Sequence, residues 1–370
     1  MASNMETPIM PSQTRILEES ERQVYWSRLQ ELWNIPKHTK HFPGSHPVPV
    51  NSDNVKKIKN DEYVVALKTD GIRYLLFLTV QPHSENPIAL MIDRTLLMYE
   101  ICVWANYDFF QYGTLFDGEL AWNILDGFSN NTLSYCVFDV IAVSGKRMTM
   151  QPFSERLQVI HDSLFRAWKP MNNEELETYV QDENKIVCQH RDPYSIIFHP
   201  KPCFPQSQTL EIWEGRFASQ QRADGLLFTS RHSPMAFGRT ESMLKWKEHN
   251  TIDIALSKQD EIYQVWLDSK KIPKAQGKRK VQKKEIIINR NKFEDLVDNV
   301  IVQIEENSTL MDKIGSKSAV FECSVTSFID NVLKLFPIRH RFDKAETNSA
   351  STILSTITMN QVSIDDICNQ

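Results

Sequence analysis

Residues 66–76 read ALKTDGIRYLL, which places one lysine, Lys68, in an otherwise apolar run with Asp70, Gly71 and Arg73 close behind it. Two readings of that lysine are open. It could sit at a sheet edge, burying its stem and carrying its ammonium out to water. It could equally be a nucleophile held in a pocket. The pattern K-x-D-G-x-R is too short to decide between them, so the answer must come from the rest of the chain.

Around this stretch the chain alternates short β-rich runs, YVVALK, RYLLFLTV, IALMID and YCVFDVIAV, with turn residues. Residues 153–180 carry a helical pattern, and YSIIFH and GLLFTS are again strand-like. Antiparallel meanders interspersed with helices, without a regular βαβ alternation, predict an α+β fold. Upstream, residues 1–13 are polar and expected to be disordered. From Thr14 to Trp33, Ile16, Leu17, Val24, Leu29, Leu32 and Trp33 recur at helical spacing. With Glu18, Glu19 and Glu21 early, they predict an amphipathic helix whose acids face the N-terminal dipole. FPGSHPVPV (42–50) reads as a rigid Pro/Gly turn.

After Asp253 the character shifts. IYQVWLD (262–268) and EIIINR (285–290) predict a hairpin around a segment, 270–284, that holds eight Lys or Arg and no acid. That segment is most simply a solvated loop; its functional reading is a track for RNA phosphates. NKFEDLVDNVIVQIEEN predicts a helix with Phe293, Leu296, Val297, Val300, Ile301 and Ile304 on one face, and AVFECSV a strand. A small β-barrel with an inserted helix suits this half.

The chain has 370 residues, long for one core and ample for two domains. Its 41% apolar and 24% charged content is that of an ordinary globular protein, and its net charge of −5 excludes a globally basic nucleic-acid binder. Six scattered cysteines form no CxxC pair, so neither a zinc site nor a disulfide framework is expected. The N-terminus lacks an apolar h-region, and no run of about 18 apolar residues occurs. The chain is expected to be intracellular, not secreted, with no membrane partner.

Further motifs follow Lys68 in order. LFDGELAW contains Glu119, YCVFDVIAVSG puts Phe138 and Asp139 at a strand end, FHPKPCF holds Lys201 and ADGLLFTS holds Asp224. MLKWKEHNTID gives Lys245 and Lys247, two apart and so on one strand face, and then Asp253. IRHRFDK closes the set with Arg339, Arg341, Asp343 and Lys344. This ordered set resembles the covalent nucleotidyltransferase superfamily, comprising mRNA capping guanylyltransferases and ATP-dependent polynucleotide ligases. FPGSHPV, LKWK and the terminal R-x-D-K of 341–344 resemble the guanylyltransferase branch; ligases share the lysine motif without that closing element. The resemblance covers roughly residues 42–365.

The resemblance implies an ATP-grasp-like nucleotidyltransferase domain of antiparallel sheets over 14–250. It implies a C-terminal OB-fold β-barrel over 251–350, and a helix within 351–370 packing back on the first domain. It implies that Lys68 attacks the α-phosphate of GTP and then passes GMP to the 5′-diphosphate end of RNA, giving GpppN. A free lysine, with a pKa of ~10.4, is inert at neutral pH until desolvation or neighbouring cations release its proton. Lys245 and Lys247 are the cations the resemblance supplies. Arg73 and Glu119 would contact the ribose hydroxyls, Phe138 would stack on the purine, and Lys201 would reach the guanine carbonyl. Asp224 would hold a divalent ion, Mg²⁺ or Mn²⁺. Asp253 matches a position near the phosphates. Arg339, Arg341, Asp343 and Lys344 would reach the β- and γ-phosphates once the second domain closes.

Glu248 stands where the family often has proline, the spacer from Lys247 to Asp253 is short, and Thr347 replaces another proline. Plainer readings remain for single residues. Glu119 and Asp224 could be turn caps, since Asp-Gly is turn chemistry. Phe138 could be core, and Lys201, between two prolines, simply exposed. The alternative function is an ATP-dependent ligase that adenylylates Lys68; a third is a non-catalytic scaffold. Capping further implies a separate RNA triphosphatase, a cap methyltransferase and an RNA polymerase as partners, in a nucleus or in a viral factory in the cytoplasm.

Overall fold

The structure is a computed structural model. It describes residues 10, 14–39, 42–58, 62–101, 103–123, 132–167, 185–187, 196–219, 222–248, 250–259, 262–266, 286–287, 301–304, 310, 318–329, 332–341, 344, 346–349, 352–353, 356–357 and 362–369. Two compact units divide the chain: Met1–Trp246 with Ile364–Gln370, and Lys247–Ser363.

Helix α1 (Glu19–Trp33) opens the first unit. Strands β1 (Ser45–Pro49), β2 (Tyr63–Thr69), β3 (Ile72–Val80), β4 (Pro87–Ile92), β5 (Met98–Ile101) and β6 (Trp104–Asn106) follow. Helix α2 (Tyr107–Gln111) leads into the long strands β7 (Thr114–Asn123) and β8 (Thr132–Val143), then β9 (Lys146–Arg147) and helix α3 (Phe153–Ala167). After β10 (Lys185–Val187), β11 (Ile197–Pro200) and β12 (Phe204–Pro205) come helix α4 (Thr209–Glu214), β13 (Ala223–Ser230) and β14 (Gly238–Lys247).

The seven-stranded sheet runs β11-β8-β7-β3-β4-β5, with β9 paired to β8. Its central strand β3 explains why YLLFL (74–78) is a continuous apolar run rather than alternating. Tyr74, Leu76 and Leu78 pack on one face with Phe109 and Phe110 of α2 and Ile160 of α3. Leu75 and Phe77 pack on the other with Tyr25, Leu29 and Trp33 of α1. Successive strand side chains point to opposite faces, so a strand covered on both sides needs no polar positions. The five-stranded sheet runs β1-β14-β13-β2-β12.

Three local expectations change in this unit. The N-terminal helix begins at Glu19, not Thr14, because Ile16 bridges Tyr99 and the Leu17 N–H bonds the Met98 carbonyl 3.0 Å away. Its inner face uses Tyr25, while Ile16 and Val24 are exposed. The segment expected as a Pro/Gly turn instead forms β1, parallel to β14; an edge strand tolerates Pro47 and Pro49. Asp117-Gly118 and Asp224-Gly225 lie inside β7 and β13 rather than in turns, and Phe138 and Asp139 lie within β8 rather than at its end.

The second unit pairs its strands in the order β16-β15-β19-β20-β18-β17. In chain order these are β15 (Thr251–Gln259), β16 (Ile262–Trp266), β17 (Ile286–Ile287), β18 (Ile301–Ile304), β19 (Ala319–Ile329) and β20 (Val332–His340). Ile252, Ile254, Leu256, Phe321, Leu333 and Leu335 form its core. Among the described residues β16 is hydrogen-bonded to β15 and β17 to β18, while β16 and β17, the two strands expected to pair as a hairpin, lie close to each other without a described ladder. Ile301–Ile304, expected in a helix, is strand β18, which its β-branched residues favour. The remainder of that helix and the basic segment 270–284 lie outside the described residues. Helix α5 (Ile364–Cys368) belongs to the first unit, where Gln206 donates to the Ile367 carbonyl at 3.2 Å. Among the described residues no helix is long and apolar enough to cross a membrane.

Candidate active site

Lys68 lies on β2 in one sheet and Arg73 on β3 in the other, with Asp70-Gly71 as the corner between them. A Cβ at Gly71 would stand 2.7 Å from Glu119 Cγ and would press on the Leu120 carbonyl oxygen. Glycine therefore lets this corner touch β7, and that contact brings the strand of Lys68 against the strand of Glu119.

Lys68 Nζ donates to Asp224 Oδ1 at 2.6 Å, and both side chains are about a quarter exposed, 24% and 29%. Asp224 reaches it through a β-bulge. Gly225 pairs with Lys68 and Ala223 with Thr69, leaving Asp224 as the extra residue. A bulge re-aims one side chain without ending the strand. Next along β2, the Thr69 hydroxyl donates to Glu119 Oε2 and accepts from Lys201 Nζ at 2.7 Å. Lys201 Nζ stands 3.6 Å from Glu119 Oε2. Far from being a solvent-exposed lysine between prolines, Lys201 is buried at 3% exposure, anchored by its N–H to the Val137 carbonyl at 2.7 Å.

A second bulge delivers Phe138. In β8, Asp139 pairs with Asp117 and Val137 with Gly118, so Phe138 is the unpaired residue. Gly118 is obligatory here, since a Cβ would come within 2.5 Å of Tyr135 Cζ. Phe138 is half-buried, with the Arg73 guanidinium carbon 5.3 Å from its ring centroid. Arg73 is buried between Phe138 and Phe42, whose centroid is 5.1 Å away. It forms a two-pronged pair with Asp117, Nε to Oδ1 at 2.8 Å, and Nη1 donates to the Ser45 carbonyl at 2.6 Å. Burial opposes the guanidinium charge, but Asp117 outweighs it and the Arg73 pKa is raised. Arg73 is thus held in place by three nitrogens that donate to protein acceptors. Gly44 passes directly over it, where a Cβ would lie 2.8 Å from Arg73 Cζ.

Lys245 and Lys247 stand on one side of β14, with the intervening Trp246 buried edge-on against Trp213 at 5.0 Å. Lys247 begins the second unit, where its Nζ donates to Glu322 and to the Thr251 hydroxyl, each at 3.1 Å. Within that unit two buried carboxylates gather the closing cations. Asp253 accepts from Arg341 at 3.2 Å and from Lys344, and its own N–H bonds Asn348 Oδ1 at 2.7 Å. Glu322, directly across the ladder from Asp253, accepts from Arg339 at 2.8 Å and lies 3.6 Å from Arg341. Asp343 lies outside the described residues.

Burial pushes the Glu322 pKa up, but Lys247, Arg339, the Thr251 hydroxyl and Arg341 together hold it well below the usual carboxylate range. A depressed carboxylate stabilises the fold above its unfolded pKa of about 4.3, and that stabilisation fades as the pH falls toward the folded value. Denaturant melts of wild type and Glu322→Gln should differ by about 3 kcal/mol at pH 7, and the gap should narrow steadily below about pH 4. A gap independent of pH would refute this account.

Sequence reading missed Asp117, Arg156, Thr69 and Glu322, and named Asp139 without a role. Asp139 and Glu322 carried a usable signal: each is a lone acid inside an apolar strand run, where a charge requires a partner. Among the described residues no group of three or more His, Cys, Asp or Glu gathers as a metal site. The carboxylate beside Lys68 is Asp224, a donor set that suits an ion taking its remaining oxygens from water and phosphate.

Residues 11–249 match the family model described as mRNA capping enzyme, catalytic domain. The chain belongs to the mRNA capping enzyme family. Among curated capping-enzyme relatives, the mRNA-capping enzyme subunit alpha of Saccharomyces cerevisiae is 30% identical over 61% of this chain and 50% of its own length. The Neurospora crassa subunit alpha is 26% identical over 85% of this chain and 80% of its own. The chain thus spans about half the length of the yeast capping-enzyme subunit. Among solved structures, a mycobacterial DNA ligase D complexed with ATP and MES aligns with 81% of this chain and 95% of its own, at 11% identity and a TM-score of 0.41, too loose a likeness to argue from. The match to the capping-enzyme model takes in every site residue of the first unit named above.

Proposed function

We propose that this chain is an mRNA guanylyltransferase that takes GMP from GTP onto Lys68 and passes it to the 5′-diphosphate end of RNA. Membership of the capping enzyme family supports this, and one observation carries it. The Gly71 corner sets Lys68 and its carboxylate neighbour Asp224 beside the linked group Thr69, Lys201 and Glu119.

In the first step Lys68 Nζ, having released a proton, attacks the α-phosphorus. A P–N bond forms and the P–O bond to pyrophosphate breaks. Asp224, hydrogen-bonded to the amine, orients Nζ for that attack. Glu119 takes the ribose hydroxyls, Lys201 donates to the guanine carbonyl, and Phe138 stacks on the base. Lys201 would favour guanine, because adenine offers an amine where guanine offers an acceptor. Lys245, Lys247, Arg339, Arg341 and Lys344 supply positive charge to the phosphates. For Arg341 and Lys344 this means exchanging Asp253 for phosphate oxygens. In the second step a terminal phosphate oxygen of the RNA attacks the same phosphorus; a P–O bond forms, the P–N bond breaks, and the departing Lys68 amine takes up a proton.

Asp224 is the residue that would hold a divalent ion, Mg²⁺ or Mn²⁺, which when bound supplies charge neutralisation at the phosphates. We read the second unit as an OB-fold barrel, supported by a Greek-key-like order in which β18 runs parallel to β20 among otherwise antiparallel pairs. An RNA triphosphatase would supply the diphosphate end and a cap methyltransferase would act on the product, with RNA polymerase as a further proposed partner.

The test is incubation with labelled GTP or labelled ATP and Mg²⁺ or Mn²⁺, followed by denaturing electrophoresis. Label from GTP alone is expected. Label from ATP alone would move the chain to the ligases, and no label with either would leave a scaffold.

A further inference from the structure

We infer that Arg156 is a positioning residue for the nucleotide base, acting through Asp139 on Phe138; this rests on the reading of Phe138 as the purine-stacking residue. Arg156 lies on α3, away from Lys68, and is 2% exposed. Its guanidinium forks onto Asp139, Nε to Oδ1 at 2.7 Å and Nη2 to Oδ2 at 3.0 Å. Its remaining nitrogen, Nη1, donates to the Gln151 carbonyl at 2.6 Å and the Ser233 carbonyl at 3.0 Å. One side chain thus ties the entrance to α3 and the loop after β13 to a single point of β8.

That point is the bulge. Asp139 Oδ1 also accepts the N–H of Val140 at 2.8 Å, so the carboxylate satisfies a backbone donor where the β7–β8 ladder is disrupted. Phe138, the residue the bulge extrudes, is the immediate neighbour of Asp139. A bulge is held only as firmly as its freed backbone groups are partnered. The Arg156–Asp139 pair therefore sets the angle at which Phe138 meets the base. A bidentate guanidinium fixes both oxygens of a carboxylate at once, which a lysine ammonium cannot do. The charge of the buried pair is balanced, so its effect on the nucleotide is geometric rather than a distant field.

A double-mutant cycle tests this, with formation of the Lys68–GMP adduct followed against GTP concentration in wild type, Arg156→Lys, Phe138→Ala and the double variant. Arg156→Lys alone should raise the half-saturating GTP concentration about tenfold, the scale of one base–aromatic stack. The rate at saturating GTP should stay within about twofold of wild type. In the Phe138→Ala background the same substitution should change half-saturation less than about twofold, because contacts acting through one side chain are not additive. An equal effect in both backgrounds, or a fall in the saturating rate alone, overturns the proposal. Asp139→Asn, which retains the Oδ1 acceptor for Val140 N–H and Arg156 Nε, substitutes for Arg156→Lys if the lysine variant melts below the assay temperature, with the same pattern expected. Equilibrium GTP binding by the same proteins gives the same comparison when no adduct forms. A wild type without adduct would thus defeat the guanylyltransferase reading, while coupling between positions 138 and 156 would still be measured.

Discussion

Lys68→Ala should reduce covalent GMP attachment by at least about 10³-fold, since no other step can substitute for loss of the attacking atom. Lys68 and Asp224 are partly exposed, so truncating the lysine should move the unfolding free energy by no more than about 1 kcal/mol. The comparison that matters is adduct mass located by peptide mapping, alongside a denaturant melt. Adduct retained on the variant, or mapped to another side chain in wild type, would refute the role of Lys68. Lys201 is the side chain to check first, because its ammonium reaches the hydroxyl of Thr69, the residue next to Lys68 on β2.

Gly71→Ala carries the second large effect, and it arises without touching a reactive group. The new methyl would meet the Leu120 carbonyl and Glu119 Cγ, neither of which is the loose end of a flexible chain. Overpacking of this kind costs about 1–3 kcal/mol. The corner would shift so as to relieve it, carrying Thr69 and Lys68 away from Glu119. A displacement of about 1 Å at reacting groups costs on the order of 100-fold in rate. The expected result is a folded protein with a modestly lowered melting temperature and adduct formation reduced about 100-fold. Gly215→Ala is the matched control, because a Cβ there would meet nothing within 4 Å. Full activity in Gly71→Ala would show that the close approach of β2 and β7 is irrelevant to the chemistry.

The cleft was legible in the sequence to the extent that it is written in local motifs. The order of Lys68, Glu119, Lys201 and Asp224 led to residues that the structure brings together across two sheets. Their local settings were not legible. Asp-Gly reads as a turn by propensity, yet Gly118 and Gly225 serve inside strands, Gly118 because a side chain would strike Tyr135. The extra residues at Asp224 and Phe138 depend on how partner strands are registered, which no local window records. The resemblance places Arg73 at the ribose hydroxyls; its pairing with Asp117 was not legible, because Asp117 becomes a neighbour only when β3 and β7 pair. The second unit misled for a different reason. The run at 301–304, three of its four residues β-branched, matches a helical period as well as a strand, and tertiary pairing with β20 decides for the strand.

The two sheets of the first unit differ in when they can be assembled. Six of the seven strands in the larger sheet lie between Ile72 and Arg147, so it can form from contiguous chain during synthesis. The smaller sheet joins β2 to β13 and β1 to β14, partners more distant in sequence that emerge from the ribosome late. A nascent chain that already displays the large sheet therefore has Lys68 without Asp224. The capacity to load a nucleotide should switch on only after Lys247 has been translated, so that half-made polypeptides sequester no guanylate.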